Sequence, residues 1–298
     1  FNAFGIVAGL DGSVWRRAGD RMVRLGWEGS VEFGFGESGY RLSLERVVVA
    51  ADGAIWVVED VLDSDSELTG RRLWSFDGEK WDEHATPTPK GLAAAPDGAI
   101  WVTWEGQVPR LARFDAMGRS VIDLPADLRR AEEYWPAVTD DGDVWVWGDE
   151  GSLHRYDGEA WQLVSVPCDL DAVGGDGTLW CIQTRWTGNI FDQPATAMYR
   201  LDGAGMKRLE VDDDSLAALS GFTETRATPD GRLWVLPDFR GDGVHLFDGG
   251  SRTHYLQGHS AHGWGMAPDG SLWVLASSGA GAPVHTYAIR PEAAPAGE

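Results

Sequence analysis

The sequence predicts an all-β protein, a seven-bladed β-propeller of four-stranded antiparallel blades. Three observations carry this. A phrase made of an Asp-Gly turn, one spacer, an aliphatic residue and Trp occurs seven times, starting at Asp11, Asp52, Asp97, Asp141, Asp176, Asp230 and Asp269. Its tryptophans, Trp15, Trp56, Trp101, Trp145, Trp180, Trp234 and Trp273, stand 41, 45, 44, 35, 54 and 39 residues apart, about one blade each. Most units then carry a second hairpin signal, as in Leu73-Trp74-Ser75-Phe76-Asp77-Gly78-Glu79-Lys80-Trp81 and Leu153-His154-Arg155-Tyr156-Asp157-Gly158-Glu159-Ala160-Trp161.

Each element follows in order. Strand a is short and rich in small residues, as in Gly91-Leu92-Ala93-Ala94-Ala95. Asp-Gly then makes the hairpin, because glycine accepts the positive φ of the turn. Pro96, Pro229 and Pro268 preset φ just before three of these turns. Strand b is a continuous apolar run, such as Ile55-Trp56-Val57-Val58 or Leu233-Trp234-Val235-Leu236. A strand with one wet face would alternate; these do not, so both faces are covered, as in stacked blades. A longer loop leads to strand c, a second Asp-Gly turn and strand d, with weaker copies at Asp202-Gly203 and Asp248-Gly249. The last unit offers strand c near 284–289 but no strand d, and residues 1–4 precede the first strand at 5–10. Either residues 1–4 form a short closing strand or that strand lies upstream, in a longer protein. One propeller is expected over residues 1–290, with 291–298 as a tail or linker.

Composition narrows the partners. Forty-seven acidic residues face 25 basic ones across 298 positions, a net charge of −22. Setting aside the eleven aspartates of the hairpin turns still leaves 36 acids against 25 bases. Such a surface repels phosphate backbones and anionic lipid, so nucleic acid is not an expected partner. No apolar run approaches the ~18 residues of a membrane span, so direct membrane insertion is not expected. A monomer, or a part of a larger chain, is expected. Cys168 and Cys181 flank the turn at 176–177. They stand near a diagonal cross-strand pair, ~7–8 Å apart, and are read as either a disulfide or two buried thiols. A bridge would argue for an oxidising, extracytoplasmic or secreted setting; a cytoplasmic one stays open. No His/Cys spacing reads as a metal site.

Strand direction places both Asp-Gly turns of a unit on one rim and the longer b–c and d–a connections on the other. The second rim carries the length variation, at 59–70, 183–196 and 237–243, and variable loops on a rigid scaffold are where binding residues gather. The binding candidates on it are Glu59, Trp104, Glu105, Trp135, Trp147, Arg185, Trp186, Arg226, Phe239, Arg240, His262 and Trp264. Asp60, Asp149, Asp238, Arg46, Glu133, Tyr134 and Thr225 stand beside them. Aromatic rings among Arg and carboxylates suit a ligand with flat apolar surface and several polar groups. Trp104 and Trp147 read equally as blade packing; Trp135, Trp186 and Trp264 lie outside the repeated phrase and are less readily explained that way.

The stretch Gly91-Leu92-Ala93-Ala94-Ala95-Pro96-Asp97-Gly98-Ala99-Ile100-Trp101-Val102-Thr103, echoed from His262 to Val274, resembles two related repeats. One belongs to the two-component-regulator propellers, extracytoplasmic sensor regions of bacterial signalling proteins. The other belongs to the streptogramin B lyases, single seven-bladed propellers. The lyase resemblance implies Mg²⁺-assisted elimination on a cyclic depsipeptide, with His262 as base and Glu105 among the carboxylates. No second acid or base and no coordinating cluster can be assigned by motif. Three functions are therefore carried forward. The leading one is a non-catalytic recognition domain, without a cofactor, that binds a small molecule, glycan or peptide at the loop-bearing rim. The others are the Mg-dependent lyase or hydrolase and a pure protein-interaction scaffold.

Overall fold

The computed structural model describes residues 6–8, 13–18, 21–26, 29–34, 41–63, 65, 67–105, 108–128, 134–148, 151–166, 168, 170–185, 187, 194–202, 205–219, 224–237, 243–267, 269–279 and 281–290. Blade 1 holds β1 (Ile6–Ala8), β2 (Val14–Ala18), β3 (Arg21–Gly26) and β4 (Gly29–Gly34). Blade 2 holds β5 (Arg41–Val49), β6 (Ile55–Leu62), β7 (Leu68–Phe76) and β8 (Trp81–His84). Blade 3 holds β9 (Pro89–Ala94), β10 (Ile100–Trp104), β11 (Arg110–Asp115) and β12 (Gly118–Asp123). Blade 4 holds β13 (Tyr134–Val138), β14 (Val144–Gly148), β15 (Leu153–Tyr156) and β16 (Trp161–Val164). Blade 5 holds β17 (Leu170–Val173), β18 (Leu179–Thr184), β19 (Ala195–Asp202) and β20 (Gly205–Arg208). Blade 6 holds β21 (Glu224–Ala227), β22 (Leu233–Leu236), β23 (Val244–Asp248) and β24 (Ser251–Tyr255). Blade 7 holds β25 (Ser260–Met266), β26 (Leu272–Ser277) and β27 (His285–Ile289). All neighbours are antiparallel and follow chain order within each sheet. First strands of adjacent blades touch, β1 with β5, β5 with β9, β9 with β13 and β17 with β21, so strand a is innermost. The chain is a seven-bladed β-propeller.

The apolar runs of strand b are explained by the seams. Seven clusters of buried side chains occupy the seven junctions between neighbouring blades. Along β6, Ile55 and Val57 pack toward blade 1 while Trp56 and Val58 pack toward blade 3. One strand therefore feeds two cores, which no alternating sequence could do. The ring closes where β1 meets β25 and β26, with Val14 and Leu275 buried beside Leu25 and Trp273. Blade 7 shows three strands among the described residues. The candidate closing residues 1–4, the first Asp-Gly turn at 11–12 and the tail 291–298 lie outside the described residues.

Side-chain and backbone bonds tie several copies of the repeated phrase into the fold. At Asp97-Gly98, Asp97 Oδ1 accepts from the Ala99 amide at 3.0 Å, and Gly98 sits at φ +86°. The same acceptor bond recurs at Asp52, Asp176 and Asp269. In blades 5 and 6 the tryptophan then reaches across the seam. Trp180 Nε1 donates to Gly231 O and Trp234 Nε1 to Gly270 O, both at 3.1 Å, so the indole of one blade holds the turn glycine of the next. The second hairpin points the other way. Trp81 Nε1 donates to Gly34 O at 2.9 Å and Trp161 Nε1 to Asp123 O at 3.1 Å, on the outer strands of the preceding blades. Strand c adds an arginine opposite the phrase tryptophan. Arg24, Arg155 and Arg200 stand over Trp15, Trp145 and Trp180 at 5.7, 6.0 and 5.7 Å, as cross-strand partners on one face.

Cys168 and Cys181 form a disulfide with a Cα–Cα distance of 5.8 Å. This is shorter than the diagonal spacing expected from an even ladder. A register shift between Leu170 and Ala172 breaks the β17–β18 ladder just where Cys168 approaches β18, and the resulting spacing is within bridging range. The one helix among the described residues, α1 (Asp213–Ala218), lies in the connection from blade 5 to blade 6, its first turn capped by Asp212 accepting from the Ser215 amide at 2.7 Å.

Candidate functional site

The strand order puts the entries of strands a and c and the exits of strands b and d on the loop-bearing rim. In blade 4, Trp135 and Trp147 are cross-strand partners near that rim. Their rings stack with centroids 6.4 Å apart at 29°. Trp147 is half-buried against the core between blades 4 and 5, whereas Trp135 keeps 41% of its surface exposed. Trp135 thus presents an aromatic face held in place by a second ring.

A second group joins blades 6 and 7 through their inner strands. Trp264 Nε1 donates to Glu224 Oε2 at 2.6 Å, and the Arg226 guanidinium lies 5.8 Å over the Trp264 ring. Arg226 Nη1 also donates to Thr225 O at 2.8 Å, and Thr225 Oγ1 donates to Asp171 O on blade 5 at 2.8 Å. Trp264 is buried while Arg226 and Glu224 are exposed, so the group offers a fixed cation and carboxylate rather than a ring face. Glu224 was not among the candidates. The period of two on β21, which puts it on the same face as Arg226, is the signal that would have found it. His262 is half-buried, its Nε2 paired with Ser277 Oγ at 2.7 Å.

Other candidates serve the scaffold. Trp104 is buried between blades 2 and 3, with Arg119 at 5.7 Å from its ring; Tyr134 is buried between blades 3 and 4. Asp60 Oδ1 accepts from Arg71 Nε at 2.9 Å and Arg46 Nη1 at 3.3 Å. Arg185 is exposed just after β18. Trp186, Phe239 and Arg240, with Glu133, Asp149 and Asp238, lie outside the described residues.

Glu105 and His262 stand on blades 3 and 7, and each is taken up locally. Lys90 Nζ lies 3.2 Å from Glu105 Oε2, and Ser277 holds the His262 ring. Among the described residues no three His, Cys, Asp or Glu side chains come together as ligands for a cation. Glu105 and His262, each engaged on its own blade, do not together form the ligand set that the Mg²⁺ of the lyase resemblance implies.

Glu59 is completely buried, with Oε2 accepting from Trp74 Nε1 at 2.7 Å and Oε1 without a hydrogen-bond partner among the described residues. Burial pushes its pKa above the ordinary 4.5, against the opposing pull of the Trp74 N–H and Arg72. An acid that holds its proton more tightly in the folded state than in the unfolded one weakens folding where it must ionise. That cost is present well above the folded pKa and fades as pH falls toward 4.5. Glu59→Gln is expected to gain stability over the parent at neutral pH and to lose that advantage in acid. Urea midpoints of both proteins at the two pH values test this; a pH-independent difference would count against it.

No protein-family profile matches the chain, and no curated protein matches its sequence. Solved structures match its shape. The extracellular domain of a hybrid two-component system from B. thetaiotaomicron superposes with a TM-score of 0.60 at 12% identity, over 98% of this chain and 39% of that one. The present chain therefore spans well under half of that protein's length. YCF48, solved bound to D1 peptide, gives 0.58 at 13% over 98% and 94%. The β-propeller domain of the Trilobed protease from Pyrococcus furiosus, described as having an open velcro topology, gives 0.63 at 11% over 96% and 88%. The resemblance to the two-component-regulator propellers is thus met in the fold. Among the described residues no helix is long and apolar enough to cross a membrane.

Proposed function

We propose that this propeller is a recognition domain that binds a small molecule, glycan or peptide on its loop-bearing rim and performs no chemistry of its own. The observation that carries the reading is Trp135, a large aromatic side chain left 41% exposed and braced by Trp147. Sugar rings and the apolar faces of peptides stack on such a surface, and the Arg226–Glu224 pair supplies polar anchors on the same rim. An extracytoplasmic setting, as the sensing part of a larger bacterial signalling or surface protein, is supported by the Cys168–Cys181 disulfide. A sensor's extracellular domain with the same fold supports it too.

The test is a thermal-shift screen of oligosaccharides, peptides and metabolites against the parent, Trp135→Ala and Arg226→Ala. A ligand held at a hundred times its Kd should stabilise the folded parent by about 2.7 kcal/mol. Trp135→Ala, at a half-exposed position, should fold normally yet lose most of the shift. A shift equal in all three proteins, or none with any class, would remove this rim as the binding surface.

A further inference from the structure

We propose that the loop-bearing rim carries an acid-operated latch, in which protonation of His84 loosens the connection from blade 2 to blade 3. His84 ends β8, and residues 85–88 then lead to β9. Its imidazole is half-buried in the seam between the two blades. The ring stacks on Trp56 with centroids 4.5 Å apart at 18°. Phe114 of blade 3 meets it edge-on at 5.6 Å and 68°. Trp56 and Phe114 lie 5.3 Å apart, so the three rings form one cluster across the seam. The polar contact of the ring among the described residues is Nε2 with Ser75 Oγ at 2.7 Å. A neutral imidazole suits such a slot, whereas an imidazolium must find acceptors for two N–H groups.

The connection beyond His84 is lightly held. Pro87 lies within it and Pro89 follows it, and neither has an N–H to donate. Arg119 Nη1 donates to Ala85 O at 2.7 Å, and the Glu105 amide donates to Thr88 O at 2.8 Å. Between these bonds the Thr86 hydroxyl is buried without a hydrogen-bond partner among the described residues, a cost that opening would relieve. Arg119 also stands 5.7 Å over the Trp104 ring. Losing the Ala85 carbonyl therefore changes how the rim presents Trp104 and Glu105.

Most charges around the ring are already paired. Asp82 shares its strand and attracts the proton, but Lys80 Nζ lies 2.9 Å from Asp82. Arg71 of β7 is bound to Asp60 of β6, and Lys90 of β9 to Glu105. On blade 3, Arg119 is the cross-strand partner of Phe114, and Arg110 is paired with Asp123 at 3.1 Å. Burial therefore prevails: it pushes the His84 pKa below the ordinary 6.5, against the pull of Asp82. The unfolded or opened chain takes up the proton first as pH falls through 6.5. The penalty on the closed seam is absent well above that value, grows below it and levels off beneath the folded pKa.

The test follows amide exchange by NMR at about pH 7.5 and about pH 5, corrected for the intrinsic pH dependence of exchange. The Glu105 amide reports the bond to Thr88 O. The Leu209 amide, bonded to Met198 O at 2.9 Å on blade 5, reports the rest of the ring. Acid should lower protection at Glu105 by up to about tenfold for each unit that burial takes from the His84 pKa, and should leave Leu209 unmoved. The Trp104 indole resonance should shift over the same range, in step with the His84 ring titration. His84→Phe keeps an aromatic ring on Trp56 and cannot titrate, so both responses should vanish. His84→Gln, neutral and able to bond Ser75, should do the same and serves if the Phe protein fails to fold. An unchanged Glu105 amide in acid, equal losses at Glu105 and Leu209, or a response that survives in either variant would overturn the proposal. So would a His84 titration at or above 6.5.

Discussion

Replacing Trp180 by alanine is expected to cost about 3–5 kcal/mol of stability, read as a lowered urea midpoint. Trp180 is completely buried, in the core shared by blades 5 and 6. It packs with Met198, Leu233 and Phe247 there, and those neighbours cannot collapse inward because each belongs to a rigid sheet. Its indole N–H is also the bond to Gly231 O, across 51 residues of chain. Trp180→Phe separates the two contributions: it keeps most of the ring volume and strands the glycine carbonyl, a loss of about 1–3 kcal/mol. At Trp101 no such bond exists among the described residues, so Trp101→Phe should be milder than Trp180→Phe. Equal effects at the two positions would show that the seam bond contributes nothing.

Reduction of the Cys168–Cys181 disulfide should lower stability by about 3 kcal/mol, from the entropy returned to the unfolded chain by a loop of this size. The bridge joins residues only 13 apart, but it anchors the connection from blade 4 to blade 5 onto β18. That connection borders the core in which Trp147 and Leu170 pack, so its release should also quicken amide exchange in β17. Reductant is expected to shift the urea midpoint of the parent and to leave that of a Cys168→Ala, Cys181→Ala protein unmoved. A parent indifferent to reductant would mean that the bridge does not form in solution, and the extracytoplasmic reading would lose its main support.

The scaffold was largely legible because it is local and repeated. Asp97 bonds to an amide two residues away and Gly98 needs only its own φ, so the turn is written in adjacent residues. The absence of alternation in Ile55-Trp56-Val57-Val58 correctly signalled two buried faces. The arginines of strand c were missed, although Arg113, Arg155 and Arg200 stand two positions before Asp115, Asp157 and Asp202 in their units. Spacing to the second turn was a usable signal.

The candidate face was less legible. Trp104 and Trp135 looked alike, aromatic residues near the loop end of a blade, yet one is core and the other is exposed. What separates them is which neighbouring sheet lies against each, and that neighbour comes from a different unit. Glu59 is the same case: nothing beside it in the chain announces that its carboxyl is sealed under Trp74.

By itself the sequence determined the number of units, the turns and the burial of strand b, since each depends on residues within one hairpin or one repeat period. The tertiary structure decided which indole N–H groups find a partner on another blade. Trp234 meets Gly270 after 36 residues and Trp264 meets Glu224 after 40, whereas the buried Trp145 N–H meets no partner among the described residues. Contacts between blades depend on how two sheets lean together at their seam. That lean is set by all the side chains filling the seam at once, so no single copy of the repeat contains it.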